Sequence, residues 1–411
     1  MSGVHHFDAL IIGAGLAGST AAILLARAGW TVALIEKQAF PRRKVCGECI
    51  AASNLPLLDE LGIGAAFAAA AGPDLRLVEL LRKDRCVRAQ LPPATGQRHL
   101  WGRALGRETL DTLLRDQARK AGARVLQPCR VHRIEGEAGA WQCHVQGSNQ
   151  SELQILSASV VIDAHGSWEA LHVEQGQARK ARSGADLFAF KAHFSGGTLE
   201  PGVLPVLALD GGYGGIVVAD KGNTTLACCI RRDRLDRLRA AAPGQKAGAV
   251  VESWLKQENA GVAAALATAT REGPWLSVGP LAPGIRLSDN DTIFRIGNAA
   301  GEAHPIIGEG MSMALQSAWM LCTLLLAADR QTHWQSRIAR EYDRQWRRQF
   351  TARMRLAAGF AHLAMHPITS ACLMALAGLW PGLLTLGARR GGKLSSAAQI
   401  PEIPLTTGVS P

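Results

Sequence analysis

Near the N-terminus, Gly13-Ala14-Gly15-Leu16-Ala17-Gly18 forms a G-x-G-x-x-G turn, a residue pattern with a definite chemistry. Gly13 permits the sharp bend, Gly15 lets backbone approach a pyrophosphate, and Gly18 lets a helix and a strand pack closely. Glu36 follows about 20 residues past the turn, where a carboxylate accepts hydrogen bonds from a ribose diol. Glycines alone are a weak signal, because a glycine-rich turn that binds nothing reads the same way. The elements around them decide.

Those elements stand in register. Ala9-Leu10-Ile11-Ile12 is an apolar run with the length of a buried strand. Ser19 to Ala28 reads as an Ala- and Leu-rich helix ended by Gly29, and Thr31 to Ile35 as a second strand closing on Glu36 and Lys37. The helix N-terminus brings unpaired N–H groups and a partial positive charge to the pyrophosphate position.

Further along, Cys46-Gly47-Glu48-Cys49 has C-x-x-C spacing, but no second Cys or His pair completes a metal set. No metal is expected; a loop lying against a cofactor, with Cys46 a small buried thiol, is the plainer reading. Arg42, Arg43 and Lys44 either neutralise phosphate or are simply solvated. Arg107 opens a helix running to Lys120, where it suits an anionic ligand as well as it suits open surface. Val160 to Gly166 is a buried strand ending in the Asp163-Ala164-His165-Gly166 turn, a second place where backbone meets a cofactor. Thr292 to Ile296 is a strand feeding Gly297 to Met311, ahead of a helix from Ser312 to Ala328, with Gly308 and Gly310 as close-approach residues.

Between these segments the pattern changes. Phe188 to Phe194, Val203 to Leu209, Gly215 to Ala219 and Thr224 to Ile230 are short strands with glycine turns, which suggests an inserted antiparallel sheet. Ser53 is read as the N-cap of a helix to Leu61, Val78 to Gln90 as a strand pair, Trp141 to Val161 as a meander, and Ala247 to Leu266 as helix. Leu356 to Ala388 contains no Asp, Glu, Lys or Arg, yet Pro367 and Pro381 cut it into pieces too short to span a membrane. Buried or interface helices are the expectation, with peripheral membrane contact as the alternative.

Composition narrows the class. A chain of 411 residues with 47% hydrophobic and 19% charged residues buries a large core. The net charge of +11 is scattered and only 5% of residues are aromatic, so nucleic acid is a poor partner. Nine irregularly spaced cysteines suggest buried or reactive thiols rather than a disulfide frame. The first apolar run is a strand of the nucleotide fold, not a secretion signal, so a cytoplasmic location is expected.

The order of these features resembles the FAD-dependent oxidoreductases of the para-hydroxybenzoate hydroxylase fold over nearly the whole chain. Arg43-Lys44-Val45-Cys46-Gly47-Glu48, Gly211-Gly212-Tyr213-Gly214-Gly215 and Pro305-x-x-Gly308-Glu309-Gly310 look most like its geranylgeranyl reductase branch. The resemblance implies an α/β fold: a Rossmann-like FAD-binding domain, an inserted antiparallel β-sheet substrate domain and a C-terminal helical region. The boundaries are 1–182 for the FAD-binding domain with a substrate-side β-meander, 183–287 for the sheet domain, and 288–350 for the return segment. Residues 351–393 are apolar helices, and 394–411 a flexible tail.

It also implies roles. Gly13, Gly15 and Gly18, with Leu16 and Ala17 between them, face the FAD pyrophosphate; Glu36 and Lys37 meet the adenosine ribose; Val131 meets the adenine through its backbone. Arg107 contacts the phosphate or ribityl region, and Asp163 marks the second cofactor turn. Gly297 precedes Asn298, where the family carries a ribityl-binding Asp, while Gly308, Gly310 and Met311 serve the flavin ring. Apart from the resemblance, His304, Glu309 and Cys46 are the catalytic candidates and Tyr213 the pocket residue, against structural readings of each: a structural histidine, a cap for backbone N–H groups, an inert buried thiol and a packing tyrosine. Tyr213 to Val218 lacks the tryptophan and proline of the halogenase and reductase strand, which argues against halogenation and leaves the pocket wall changed.

The implied reaction is monooxygenation of a lipophilic (polyketide-, isoprenoid- or aromatic-type) substrate through a flavin hydroperoxide, with NAD(P)H as a transient reductant. The alternative is reduction or dehydrogenation of a carbon–carbon double bond. A third reading is a flavin electron relay to a partner protein.

Overall fold

The computed structural model describes residues 5–94, 98–148, 152–167, 182–287 and 292–389. Its first sheet is built on the strand His5–Ile12, flanked in parallel by Val32–Ile35 and Gln154–Asp163. Arg124–Leu126 and Phe294–Arg295 extend the parallel part on either side. The central strand is buried on both faces, with Ala9 and Ile11 toward the helices and Leu10 and Ile12 toward a second cluster around Trp141. That is why its sequence is a continuous apolar run rather than an alternating one. The helix Leu16–Arg27 is buried along Leu16 to Leu25 between this sheet and the helices Arg107–Lys120 and Gly310–Leu326.

The meander Cys129–Glu135, Trp141–Gly147, Gln154–Asp163 continues the same sheet in antiparallel pairing. It is therefore part of the nucleotide-binding half, not of the substrate side as its position ahead of the insertion suggests.

The second sheet runs in the order Thr270–Arg271, Leu187–Ser195, Thr224–Arg231, Gly212–Val218, Val203–Leu209, Leu77–Arg82, Arg85–Gln90. Its last hairpin comes from the segment assigned to the first domain, and joins by a parallel pairing of Leu77–Arg82 with Val203–Leu209. Alternation along Val78 to Gln90 identifies a strand pair; it carries no information about which edge the pair extends. One face of this sheet packs on three short helices around Trp254 and Leu255. The other face turns toward the cleft and the C-terminal helices.

Three local readings change. Ser53 lies in a short 3-10 turn ahead of the helix Leu55–Glu60, and no side chain caps either element. The 247–266 helix breaks at Asn259, whose Oδ1 accepts from the Val262 N–H at 3.1 Å. The boundary between 350 and 351 falls inside one helix, Trp334–Met365, whose Trp346 and Phe350 belong to the first core and whose Ala361 and Met365 pack on the second sheet. At Pro367 the chain turns by 102° into Pro367–Leu379, followed by Gly382–Ala388. Among the described residues no single helix is long and apolar enough to cross a membrane. The 394–411 tail lies outside the described residues.

Candidate functional site

The glycines of the first turn divide the labour. Gly13 has φ +104°, and a Cβ there would sit 2.5 Å from the Ala164 carbonyl oxygen. A Cβ on Gly18 would sit 1.8 Å from the Gly13 carbonyl oxygen, so both positions are closed by packing. Gly15 is different: a Cβ there would meet only Arg107 Nη2, at 3.6 Å. The middle glycine thus opens onto a cleft, as does the helix start at Leu16, which has no side-chain cap and no acid in its first turn. Its first N–H groups are left for a ligand.

A second helix start faces the same cleft. Gly297, at φ +60°, donates its N–H to Ser317 Oγ at 2.9 Å, which pins the strand end against the helix Gly310–Leu326. That helix also begins without a side-chain cap, and Gly308 and Gly310 have open space where a Cβ would point. Asn298 Nδ2 donates to Ser167 Oγ at 2.8 Å. The amide is thereby oriented, and Oδ1 is the atom left to accept.

Charge gathers beside these turns. Arg107 forks onto Asp111, Nε to Oδ1 at 2.8 Å and Nη2 to Oδ2 at 2.9 Å. Burial works against its charge, but Asp111 more than compensates and raises the guanidinium further above its ordinary range. The start of its helix is already occupied: Gly106 N–H donates to Asp220 Oδ1 at 2.9 Å and Arg107 N–H to Glu48 Oε1 at 3.0 Å. That helix start is thus filled by the protein's own carboxylates, and Arg107 reaches the cleft with its side chain. Lys44 lines the same region, its ammonium lowered to about 8 by burial and by the neighbouring Arg107 and Arg42.

Glu48 is the hub that sequence reading passed over. Its carboxylate, fully buried at 0% exposure, takes the Lys191 ammonium, the Thr225 hydroxyl at 2.6 Å and the Arg107 N–H. His193 Nε2 lies 3.4 Å away. Burial alone would raise its pKa, but His193 and Lys191 outweigh it and hold the acid down to about 2. A signal existed: Lys191 is the one ionisable amine in the apolar run Phe188 to Phe194, and a buried cation requires a buried anion.

The remaining candidates scatter. Cys46 and Tyr213 line the cleft. Glu36 lies behind the turn, accepting from Ala14 N–H at 3.0 Å and Gln38 N–H at 2.9 Å and paired with Arg42 at 3.4 Å. Lys37 is exposed, and Val131 is half-buried in the edge strand of the meander, at a bulge. Asp163 turns its carboxylate onto the His165 ring and N–H, shaping its own turn. Glu309 does not cap backbone: its carboxylate is buried against Arg353 Nη2 at 2.9 Å. His304 points behind the cleft wall, with Nδ1 3.4 Å from the Tyr213 hydroxyl and its ring 6.0 Å from that of His362. Burial and His362 lower its pKa, so the imidazole is neutral near pH 7. Burial likewise keeps the Tyr213 phenol protonated.

The cleft, about 1600 Å³ with its mouth, runs from these turns to the second sheet. Leu204, Val206, Val217 and Val278 form its far wall, and among the described residues the sheet contributes no charged side chain to it. The near end therefore suits a dianionic dinucleotide and the far end an uncharged molecule.

The FAD binding domain family matches residues 6–195. The chain is an FAD-binding flavoprotein. The flavoprotein is 24% identical over 375 residues to conditioned medium factor receptor 1 of Dictyostelium discoideum, covering 84% of this chain and 68% of that one. It is 34% identical over 148 residues to a kynurenine 3-monooxygenase of Xanthomonas oryzae pv. oryzae, covering 34% of this chain. The match spans 31% of that enzyme's length. In fold the flavoprotein resembles the myxobacterial chondrochloren halogenase CndH, an FAD-dependent halogenase, with a TM-score of 0.74 at 19% identity over 93% of this chain and 91% of that one. The α/β architecture with an FAD-binding half is thus shared across enzymes of different chemistry.

Proposed function

We propose that the flavoprotein is an FAD-dependent monooxygenase acting on a neutral, lipophilic molecule held between the flavin and the second sheet. One observation carries this: two uncapped helix starts and two cations face one end of a cleft whose other end is apolar. The N–H groups at Leu16 and Ala17, with Lys44 and Arg107, would hold the pyrophosphate. Those at Gly310 and Met311, with Asn298, would serve the flavin and its ribityl chain. Bound FAD supplies two-electron chemistry and, with dioxygen, oxygen transfer. The chain's own residues do the rest. Val206, Val217 and Val278 exclude water, and Tyr213 closes the wall with its protonated hydroxyl 3.4 Å from the Nδ1 of neutral His304.

The likeness to kynurenine 3-monooxygenase supports oxygen transfer; NAD(P)H is the expected transient reductant. The geranylgeranyl reductase-like reading draws on the Arg43 to Glu48 motif and on the same apolar wall. Dioxygen separates the two. With NADPH and a panel of isoprenoid alcohols and alkyl phenols, product should carry label from ¹⁸O₂ and should vanish under argon; unlabelled product formed under argon would hand the assignment to the reductase.

The C-terminal helices extend the reading to the surface. Ile368, Leu376, Leu379 and Trp380 are exposed, Leu379 at 85%, and make an apolar tip. A bilayer supplying the substrate is the partner we assign to it, and vesicle flotation tests that contact.

A further inference from the structure

We infer that the cleft carries an apolar side gallery that holds a hydrocarbon chain, so that the ligand is a molecule with its head in the cleft and an alkyl or isoprenoid tail beside it. The identity of the reaction at the head rests on the function proposed above; the binding of the tail does not.

A second, much smaller pocket lies beside the main one. Cys49, Leu204 and Gly308 line both. The junction is open at Gly308: its φ of +69° favours glycine, and a Cβ there would meet nothing within 4 Å. Ile50, Leu75, Leu91 and Trp101 line the gallery beyond, and Leu100, 42% exposed, and Ala388 stand at its rim.

The chemistry of this lining selects the occupant. Among the described residues no carboxylate, ammonium or guanidinium lines the gallery, so a charged or strongly polar group placed there has no partner. The charged side chains lie at the other side of the junction, at Lys44, Glu48, Arg107 and Glu302, with Ser167, Asn298 and Tyr213 beside them. A ligand that satisfies both spaces is amphipathic, with a small polar head near Tyr213 and an apolar chain running past Leu204. Its gain in affinity comes from transfer of methylene groups out of water, about fourfold for each one buried.

The test uses the full-length protein as purified with its flavin, titrated by calorimetry with the straight-chain alcohols from 1-hexanol to 1-hexadecanol. Affinity should rise about fourfold per methylene past the length that fills the cleft. Emission lost on replacing Trp101→Phe should be the emission that the longer alcohols perturb. Leu91→Trp fills the gallery from inside and the rim variant Leu100→Trp narrows its exit. Both should end the rise at a shorter chain while leaving flavin content and 1-hexanol affinity unchanged. The proposal is overturned if affinity is flat with length, or if the rise ends at the same length in the parent and both variants. It is also overturned if removing residues 390–411 tightens long-alcohol binding more than tenfold, since the chain's own terminus would then be the occupant. A protein purified without flavin would sink the proposed function, yet the calorimetric series would still decide the gallery.

Discussion

On the near side of the cleft, recognition is done by backbone: turns at Gly13–Gly18 and Gly297–Gly310 expose N–H groups, and side chains mostly hold those turns in place. On the far side it is done by side chains on a pleated surface, where Leu204, Val206 and Val217 present apolar area and Tyr213 packs between them and His304. The first kind of wall tolerates almost no change at Gly13 and Gly18, because each is closed by a neighbouring carbonyl. The second kind tolerates exchange of one apolar side chain for another at modest cost. A fold of this sort keeps one cofactor and changes its substrates.

That contrast is open to attack in order of effect. Gly18→Val should be the most damaging change, since its Cβ would overlap the Gly13 oxygen; we expect essentially no flavin retained, read from the ratio of flavin to protein absorbance. A normal ratio would show that packing does not close the turn. Glu48→Ala leaves the Lys191 ammonium buried without its anion, and should destabilise the protein by about 3–5 kcal/mol. Thermal denaturation should show most of that loss recovered in the double variant Glu48→Ala/Lys191→Met. Because the folded acid titrates near 2 and the unfolded one near its ordinary 4.5, Glu48's contribution should be complete above about pH 5 and fade as pH falls toward 2.

Tyr213→Phe should cut turnover about 100-fold with flavin content unchanged, and His304→Ala, acting from behind Tyr213, should cut it less. Equal losses would place His304 in the cleft itself. A smaller effect is expected at Lys44: its ammonium is lowered to about 8, so FAD affinity should be severalfold weaker at pH 9 than at pH 7. Lys44→Met should flatten that dependence. Trp380→Glu should reduce vesicle flotation while sparing turnover of a water-dispersed substrate, the mildest of the outcomes.

The near wall was legible in the sequence because its parts are local. A strand, a glycine turn and a helix start lie side by side in the chain, so spacing alone places the N–H groups. The far wall was legible only as strands and turns. Nothing in Val78 to Gln90 says that it will lie parallel to Val203–Leu209, because that pairing joins segments far apart in the chain. Glu48 and Lys191 were hidden for the same reason, although a lysine in an apolar strand announces that an acid is needed somewhere. His304 shows a different limit. Its place beside Pro305 fixes the backbone, but the direction of the ring is set by packing against Tyr213 and His362. Asn298 also waited on the structure, since only Ser167 decides which way its amide faces.

The far sheet is stitched from residues 77–90, 187–231 and 270–278, and Trp334–Met365 lies across both halves. Anyone wishing to transplant specificity from one such enzyme to another inherits that stitching. A graft of the continuous insertion alone would arrive without the two strands of one edge and with Lys191 facing a foreign carboxylate loop. Chimeras in this architecture therefore need at least two crossovers upstream of residue 187, and libraries confined to the central segment would sample mostly misfits.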